Sequence, residues 1–159
     1  MAGYLLKARH SKAHAAADTG KCVLLISPGT NQRLLVKRVN FQPLGDTGAG
    51  APAQYSIGVA SAAGSGGGAN TPVLLPPIPD PSTFRSTALS DSGGAFSVEP
   101  TIARTVAEIS THEQQPTSWV PDPNLWPDGM PIEADEHLAI VYVSSRASLT
   151  TVYEVIYEE

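Results

Sequence analysis

The apolar positions of this chain recur with a period of two in short runs, not in long helical stripes. Cys22 to Ile26 is an apolar run closed by Ser27-Pro28-Gly29, the punctuation that ends a strand. In Gln32 to Phe41, Leu35, Lys37, Val39 and Phe41 fall on one face and Leu34, Val36, Arg38 and Asn40 on the other. That alternation is imperfect, but its β-branched and aromatic content reads as a strand. Gln54 to Ala60 alternates cleanly, with Tyr55, Ile57 and Val59 inward and Gln54, Ser56 and Gly58 outward. The intervening PLGDTGAGAPA reads as a Gly-rich hairpin loop.

The end of the chain is the most regular part. His137 to Ser144 and Leu149 to Glu158 are the two strongest strands, and the short loop between them fits a hairpin. In the last strand Tyr153, Val155 and Tyr157 oppose Val152, Glu154, Ile156 and Glu158. Thr83 to Leu89 and Phe96 to Val98 are weaker strand candidates. Thr101 to Ser110 fits both helical and alternating spacing, and its threonine and β-branched content favours a strand. With turn-punctuated strands and no long amphipathic helix, the pattern predicts an all-β fold, an antiparallel β-sandwich of jelly-roll-like kind.

Two stretches stand apart. In residues 1–20, Leu5, Leu6, Ala8 and the Ala13 to Ala17 run suggest a short helix fenced by Gly3 and Gly20, with little to bury. It is expected to be an N-terminal arm outside a single β-sandwich domain of residues 21–159. Residues 61–81, SAAGSGGGANTPVLLPPIPDP, resemble an interdomain linker. Neither flanking half holds enough strands to close a sandwich, so the stretch is expected to be a long connection inside one domain. Gly64 to Gly68 would form a mobile tip, and Val73-Leu74-Leu75 would lie along a sheet edge or a neighbouring subunit, with prolines guarding that edge.

Composition supports a loop-rich globular chain: 42% of residues are hydrophobic, 16% charged, and Gly and Pro number 14 each. The single cysteine, Cys22, excludes an internal disulfide and reads as a small buried hydrophobe. The N-terminal region lacks the apolar stretch of a signal peptide, and no run is long enough to span a membrane as a helix. Charge is unevenly placed. Lys7, Arg9, Lys12 and Lys21 face only Asp18 near the start, whereas nine acids face only Arg146 after residue 110. Such a head and tail suit contact between copies or with a charged partner. A net charge of −5 makes nucleic acid a poor partner.

Candidate chemistry is sparse. His10 and His14 have the i, i+4 spacing of a helical metal pair, but no Glu follows His10, so exposed arm histidines are the expectation. Glu133, Asp135 and Glu136 lack the central Gly of a calcium loop and read as a solvated turn. No nucleophile motif or phosphate loop occurs, and the glycines at 64–68 lack the Lys-Ser/Thr a phosphate loop needs. Neither enzymatic activity nor a cofactor is expected. Trp119 and Trp126 lie in the proline-rich SWVPDPNLWPDGMP and either cap the core or anchor a partner or a carbohydrate ring.

The segments KCVLLISPGTNQRLLVKRVNF, QYSIGVA with its Gly-rich continuation and Asp80-Pro81, MPIEADEHLAIVYVS and the closing VYEVIYEE together resemble a family of tailed-bacteriophage structural proteins, the capsid decoration (cement) or head-fibre kind. Where that family's loop would carry Pro-Gly-Glu, this chain has Glu133-Ala134-Asp135-Glu136. The resemblance implies a virion subunit made in the host cytoplasm. It would bind the major capsid protein on the capsid surface, commonly as a homotrimer, with no nucleic acid or membrane as partner. Under it, Tyr4, Leu5, Lys7, Arg9, Leu74, Leu75, Trp119 and Trp126 are the expected contacts with the capsid or with other subunits. The alternative expectation is a carbohydrate- or receptor-binding module of a phage tail or fibre, built on Trp119 and Trp126.

Overall fold

A computed structural model describes residues 4–44, 52–75, 85–91, 95–112, 115–144 and 149–159. The strands are β1 (Leu5–Ala13), β2 (Lys21–Ser27), β3 (Leu34–Leu44), β4 (Ala53–Ala62), β5 (Ser65–Gly66), β6 (Gly68–Asn70), β7 (Val73–Leu74), β8 (Thr87–Ser90), β9 (Phe96–Val98), β10 (Thr101–Thr111), β11 (Thr117–Trp119), β12 (Met130–Ile132), β13 (His137–Tyr142) and β14 (Thr150–Glu158). They form an antiparallel β-sandwich. Sheet A has the order β11-β3-β14-β1-β7, with β12 also on β3; sheet B has the order β10-β4-β13-β2-β8-β6; β5 and β9 form a small ribbon.

The core lies between the sheets. Sheet A contributes Leu6, Val36, Val39, Phe41, Tyr153, Val155 and Tyr157, and sheet B contributes Leu24, Ile26, Tyr55, Ile57, Leu138, Ile140 and Tyr142. Phe41 stacks on Tyr55 at 4.7 Å, and Tyr153 meets both rings edge-on. These tyrosines keep hydroxyl partners inside: Tyr55 to Thr151 at 2.8 Å, Tyr157 to Ser86 at 3.2 Å. Buried hydroxyls without partners would be costly.

The imperfect alternation of β3 has a structural cause. The register against β14 shifts between Ile156 and Tyr157, which oppose Arg38 and Val36. The extra residue, Lys37, is a bulge that restores the inward face, so Leu34 and Val36 point the same way as Val39 and Phe41. This corrects the two-face division expected from strict alternation.

Three connections expected as hairpins, or beside them, cross between sheets instead. β2 and β3 lie in different sheets, and so do β3 and β4, and β13 and β14. The strands that meet in PLGDTGAGAPA and those flanking residues 145–148 are therefore not paired with each other; residues 45–51 and 145–148 lie outside the described residues. The reason is burial: β2 and β13 are apolar on both faces and fill the middle of sheet B, whereas β14 alternates and sits in sheet A.

Residues 5–13 are not a helical arm. β1 pairs with β14 from Leu5 opposite Glu158 to Ala13 opposite Thr150, in the interior of sheet A. Leu6 and Ala8 are fully buried. The alternation of Leu6, Ala8 and His10 against Leu5, Lys7 and Arg9 is a strand pattern that the alanine run downstream obscured.

The Gly-rich stretch is paired too. β6 adds to the edge of sheet B through β8, and β7 to the edge of sheet A through β1, so this one connection closes the sandwich along a side. Gly64 is not a free tip. At φ +72°, a Cβ there would lie 2.2 Å from the Val98 carbonyl oxygen, so the close approach of β5 and β9 demands glycine. The expectation of Val73-Leu74 along a sheet edge holds; residues 76–84 lie outside the described residues. Thr101–Thr111 is a strand, an edge strand whose register on β4 shifts three times. Such bulges turn an edge away from stray pairing. The short β11 and β12 in the Trp-containing segment carried no periodic signal.

Candidate functional site

Six of the residues singled out in the sequence converge. Tyr4, Leu5, Lys7 and Arg9 stand at the start of β1 or just before it, and Leu74 and Leu75 come from β7 and the residue after it. Leu6 pairs with Leu74 and Lys7 with Val73. The Leu75 amide donates to the Leu5 carbonyl at 2.9 Å. Tyr4 extends the ladder by exchanging backbone hydrogen bonds with Glu159 at 2.9 and 3.0 Å. Leu74 is nearly buried and is a core residue, whereas Leu5 is 37% exposed and its neighbour Val73 58%. The β1–β7 edge is therefore an apolar strip beside Lys7 and Arg9.

Trp119 and Trp126 lie elsewhere, at the opposite edge of sheet A. Trp119 pairs with Val39, and both indoles are half-buried against the main core. The structure places them as caps on the core and does not bring them to the β1–β7 edge.

The outer face of sheet A joins the two edges. Across it runs a row of opposed residues, Arg9, Glu154, Asn40 and Ser118, on β1, β14, β3 and β11. Asn40 donates to Glu154 at 2.9 Å and Ser118 donates to Asn40 at 2.7 Å. Lys7 pairs with Glu154 at 3.5 Å, and Lys37 with Glu158 at 2.7 Å. One cation of the basic head, Lys7, is thus paired with the acidic tail within the chain, because β1 and β14 are neighbours. Above this row lies a groove of about 330 Å³, lined by Arg9, Arg38, Gln42, Thr117, Val152 and Glu154 among others. Arg38 and Asn40 were not singled out in the sequence. Their only signal was outward placement on β3, which the bulge at Lys37 scrambled.

His10 and His14 are buried, at 7% and 3% exposure, which corrects the expectation of exposed arm histidines. They do not share one partner. His10 Nε2 donates to Asp91 at 2.5 Å, and Lys12 pairs with the same carboxylate at 3.0 Å, tying β1 of sheet A to the end of β8 in sheet B. Burial pushes the Asp91 carboxyl up, but the hydrogen bonds from His10 and Lys12 outweigh it and hold the group below its ordinary value. Burial lowers the Lys12 ammonium, and Asp91 more than reverses this, leaving it raised. His14 stacks on Tyr142 at 3.7 Å and meets the Tyr153 hydroxyl through Nε2 at 2.5 Å. Burial brings its pKa down to about 4, against the pull of Asp18 and Asp91, so His14 is neutral at pH 7. Its Nδ1 has no hydrogen-bond partner among the described residues, with Asp18 at 3.8 Å.

The arrangement around Asp91 is a structural clasp, with His10 and the carboxylate buried and Lys12 partly exposed at its mouth. Among the described residues no group of three or more His, Cys, Asp or Glu side chains is placed to hold a metal, and no helix is long and apolar enough to cross a membrane. Cys22 is buried, and burial pushes its thiol well up, away from thiolate reactivity. Glu133 to Glu136 form a turn closed by the Glu136 amide on the Glu133 carbonyl at 3.0 Å, with Glu136 paired to Arg104 at 3.3 Å. What the described residues offer chemically is surface: an apolar edge, a basic groove and an acidic turn. No protein-family model matches the chain, and no curated protein matches it either.

Proposed function

We propose that this protein is a non-enzymatic structural component of a bacteriophage virion. In this reading it is a jelly-roll-like sandwich subunit that decorates or cements the outside of the capsid as a homotrimer, with the major capsid protein as its partner. The observation that supports it is the convergence of Tyr4, Leu5, Lys7 and Arg9 with Leu74 and Leu75 on the β1–β7 edge, from segments far apart in sequence. An exposed apolar strip beside a lysine and an arginine has the composition of a protein interface, apolar at the centre and polar at the rim. One such edge is small. Three copies attached together gain avidity without needing a strong single contact.

The test is co-sedimentation of the full chain with assembled capsids, followed by stoichiometry. A copy number comparable with that of the shell protein supports decoration; a handful per particle points to a tail or fibre and overturns it. Because β1 is an integral strand, deleting residues 1–20 would remove part of sheet A, so point variants are the sharper tool. Leu5→Lys with Val73→Asp is expected to release the protein from capsids while its thermal unfolding is unchanged. Undiminished capsid binding by that variant would remove the edge from the proposal.

A further inference from the structure

Two cations on the outer face of sheet A stand out because their neighbours are satisfied and they are not. Lys7 is taken by Glu154 and Lys37 by Glu158. Arg9 and Arg38, both exposed, make no side-chain ion pair or hydrogen bond among the described residues. They flank the same groove of about 330 Å³. Its one lining carboxylate, Glu154, is already held by Lys7 and Asn40. Arg9 on β1 and Arg38 on β3 flank β14, two strand spacings apart and offset by two residues along the strands, since Arg9 opposes Glu154 and Arg38 opposes Ile156, which puts their backbones about 12 Å apart. A guanidinium is a planar fork matched to a carboxylate, and two at one groove are matched to two carboxylates.

The same chain displays that counterpart. Glu133 and Asp135 are exposed on the tight turn between β12 and β13 and form no ion pair among the described residues, while Glu136 beside them is engaged by Arg104. The turn shares no residue with the groove and contributes nothing to its lining. We infer that the Glu133–Asp135 turn of one copy docks into the Arg9–Arg38 groove of the next. The contact is heterologous, an acidic turn meeting a basic groove, and contacts of that kind repeat around a ring when the rotation closes. With a net charge of −5, two copies repel at most orientations. The groove and turn are where that repulsion reverses, so they fix the approach and the register. The inference rests on the self-assembly part of the proposed function and names its surfaces.

The experiment is sedimentation velocity on the full chain at low salt, with two double variants, R9E/R38E and E133R/D135R. Each alone is expected to weaken self-association at least tenfold while thermal unfolding stays as in the parent. Mixed together, the two are expected to associate with each other, since the charges are complementary again. High salt is expected to dissociate the parent, because exposed pairs are screened. If a reversed variant fails to fold, R9Q/R38Q gives the same loss without reversal. Three results would overturn the inference: a parent that is monomeric at low salt, a double variant that associates like the parent, or a mixture that stays dissociated. Arginine side-chain NMR shifts on adding inorganic phosphate, without self-association, would mean that the groove takes a free anion, and would overturn it as well. Capsid binding by the parent without charge-swap rescue sinks this contact and leaves decoration standing; rescue without capsid binding does the reverse.

Discussion

The two sheets treat their outer faces in opposite ways. Sheet A turns outward a polar row of Arg9, Glu154, Asn40 and Ser118, open to solvent along a groove. Sheet B turns outward Cys22, Leu25, Ala60 and Ala139, which form a second small core covered by Phe96. A sheet face exposed to water can alternate cheaply, whereas an apolar face must be covered. Phe96 does the covering from β9, which the Gly-rich connection holds by pairing through β5. The molecule is therefore a sandwich with one capped face and one open, polar face.

The largest expected effect lies in the interface that both sheets share. Phe41→Ala removes the ring that stacks on Tyr55 and meets Tyr153, and should cost about 4 kcal/mol by denaturant unfolding, as large-to-small changes in full cores do. Acid should strike the same interface next. His14 has a folded pKa of about 4, below its ordinary 6.5. Folding therefore excludes a proton that the unfolded chain binds, and the stability present above pH 6.5 is lost as pH falls towards 4, by about 3 kcal/mol in all. His14→Phe keeps a ring against Tyr142 and should flatten that slope between pH 6.5 and 4. Asp91, whose carboxyl is depressed, acts at lower pH, below the usual carboxylate range.

Smaller changes separate the outer faces. Phe96→Ala uncovers the apolar side of sheet B and should cost about 2 kcal/mol, with a rise in binding of a hydrophobic dye. Gly64→Ala should cost about 2 kcal/mol, because it forces a side chain into a left-handed conformation against the Val98 carbonyl. On sheet A, Lys7→Ala breaks a partly exposed pair with Glu154 and should change stability by less than about 1 kcal/mol. If Lys7→Ala proved as costly as Phe96→Ala, the distinction between an open and a capped face would fail.

The strands of the core were legible because their side chains carry the period themselves. Tyr55, Ile57 and Val59 face inward as their spacing predicts, and so do Tyr153, Val155 and Tyr157. β1 was obscured because two of its three inward positions, Ala8 and His10, are weakly apolar and are followed by an alanine run. His10 looked solvent-facing because its partner, Asp91, lies 81 residues away. Of the candidate site, Tyr4, Leu5, Lys7, Arg9 and Leu75 could be named from charge and apolarity. Arg38 could not, because a bulge reassigns faces and bulges leave no mark in composition.

The amino-acid sequence by itself determined that the chain is all-β and where its most regular strands, β4, β13 and β14, run. Only the tertiary structure decided which strands are neighbours. A short loop between two good strands reads the same whether it folds them together or carries the chain across to the other sheet. Pairing is settled by which faces need cover, a property of the whole sandwich. That choice set β1 beside β14, paired Lys7 of the basic head with Glu154 of the acidic tail, and left Arg9 and Arg38 without an ion pair among the described residues.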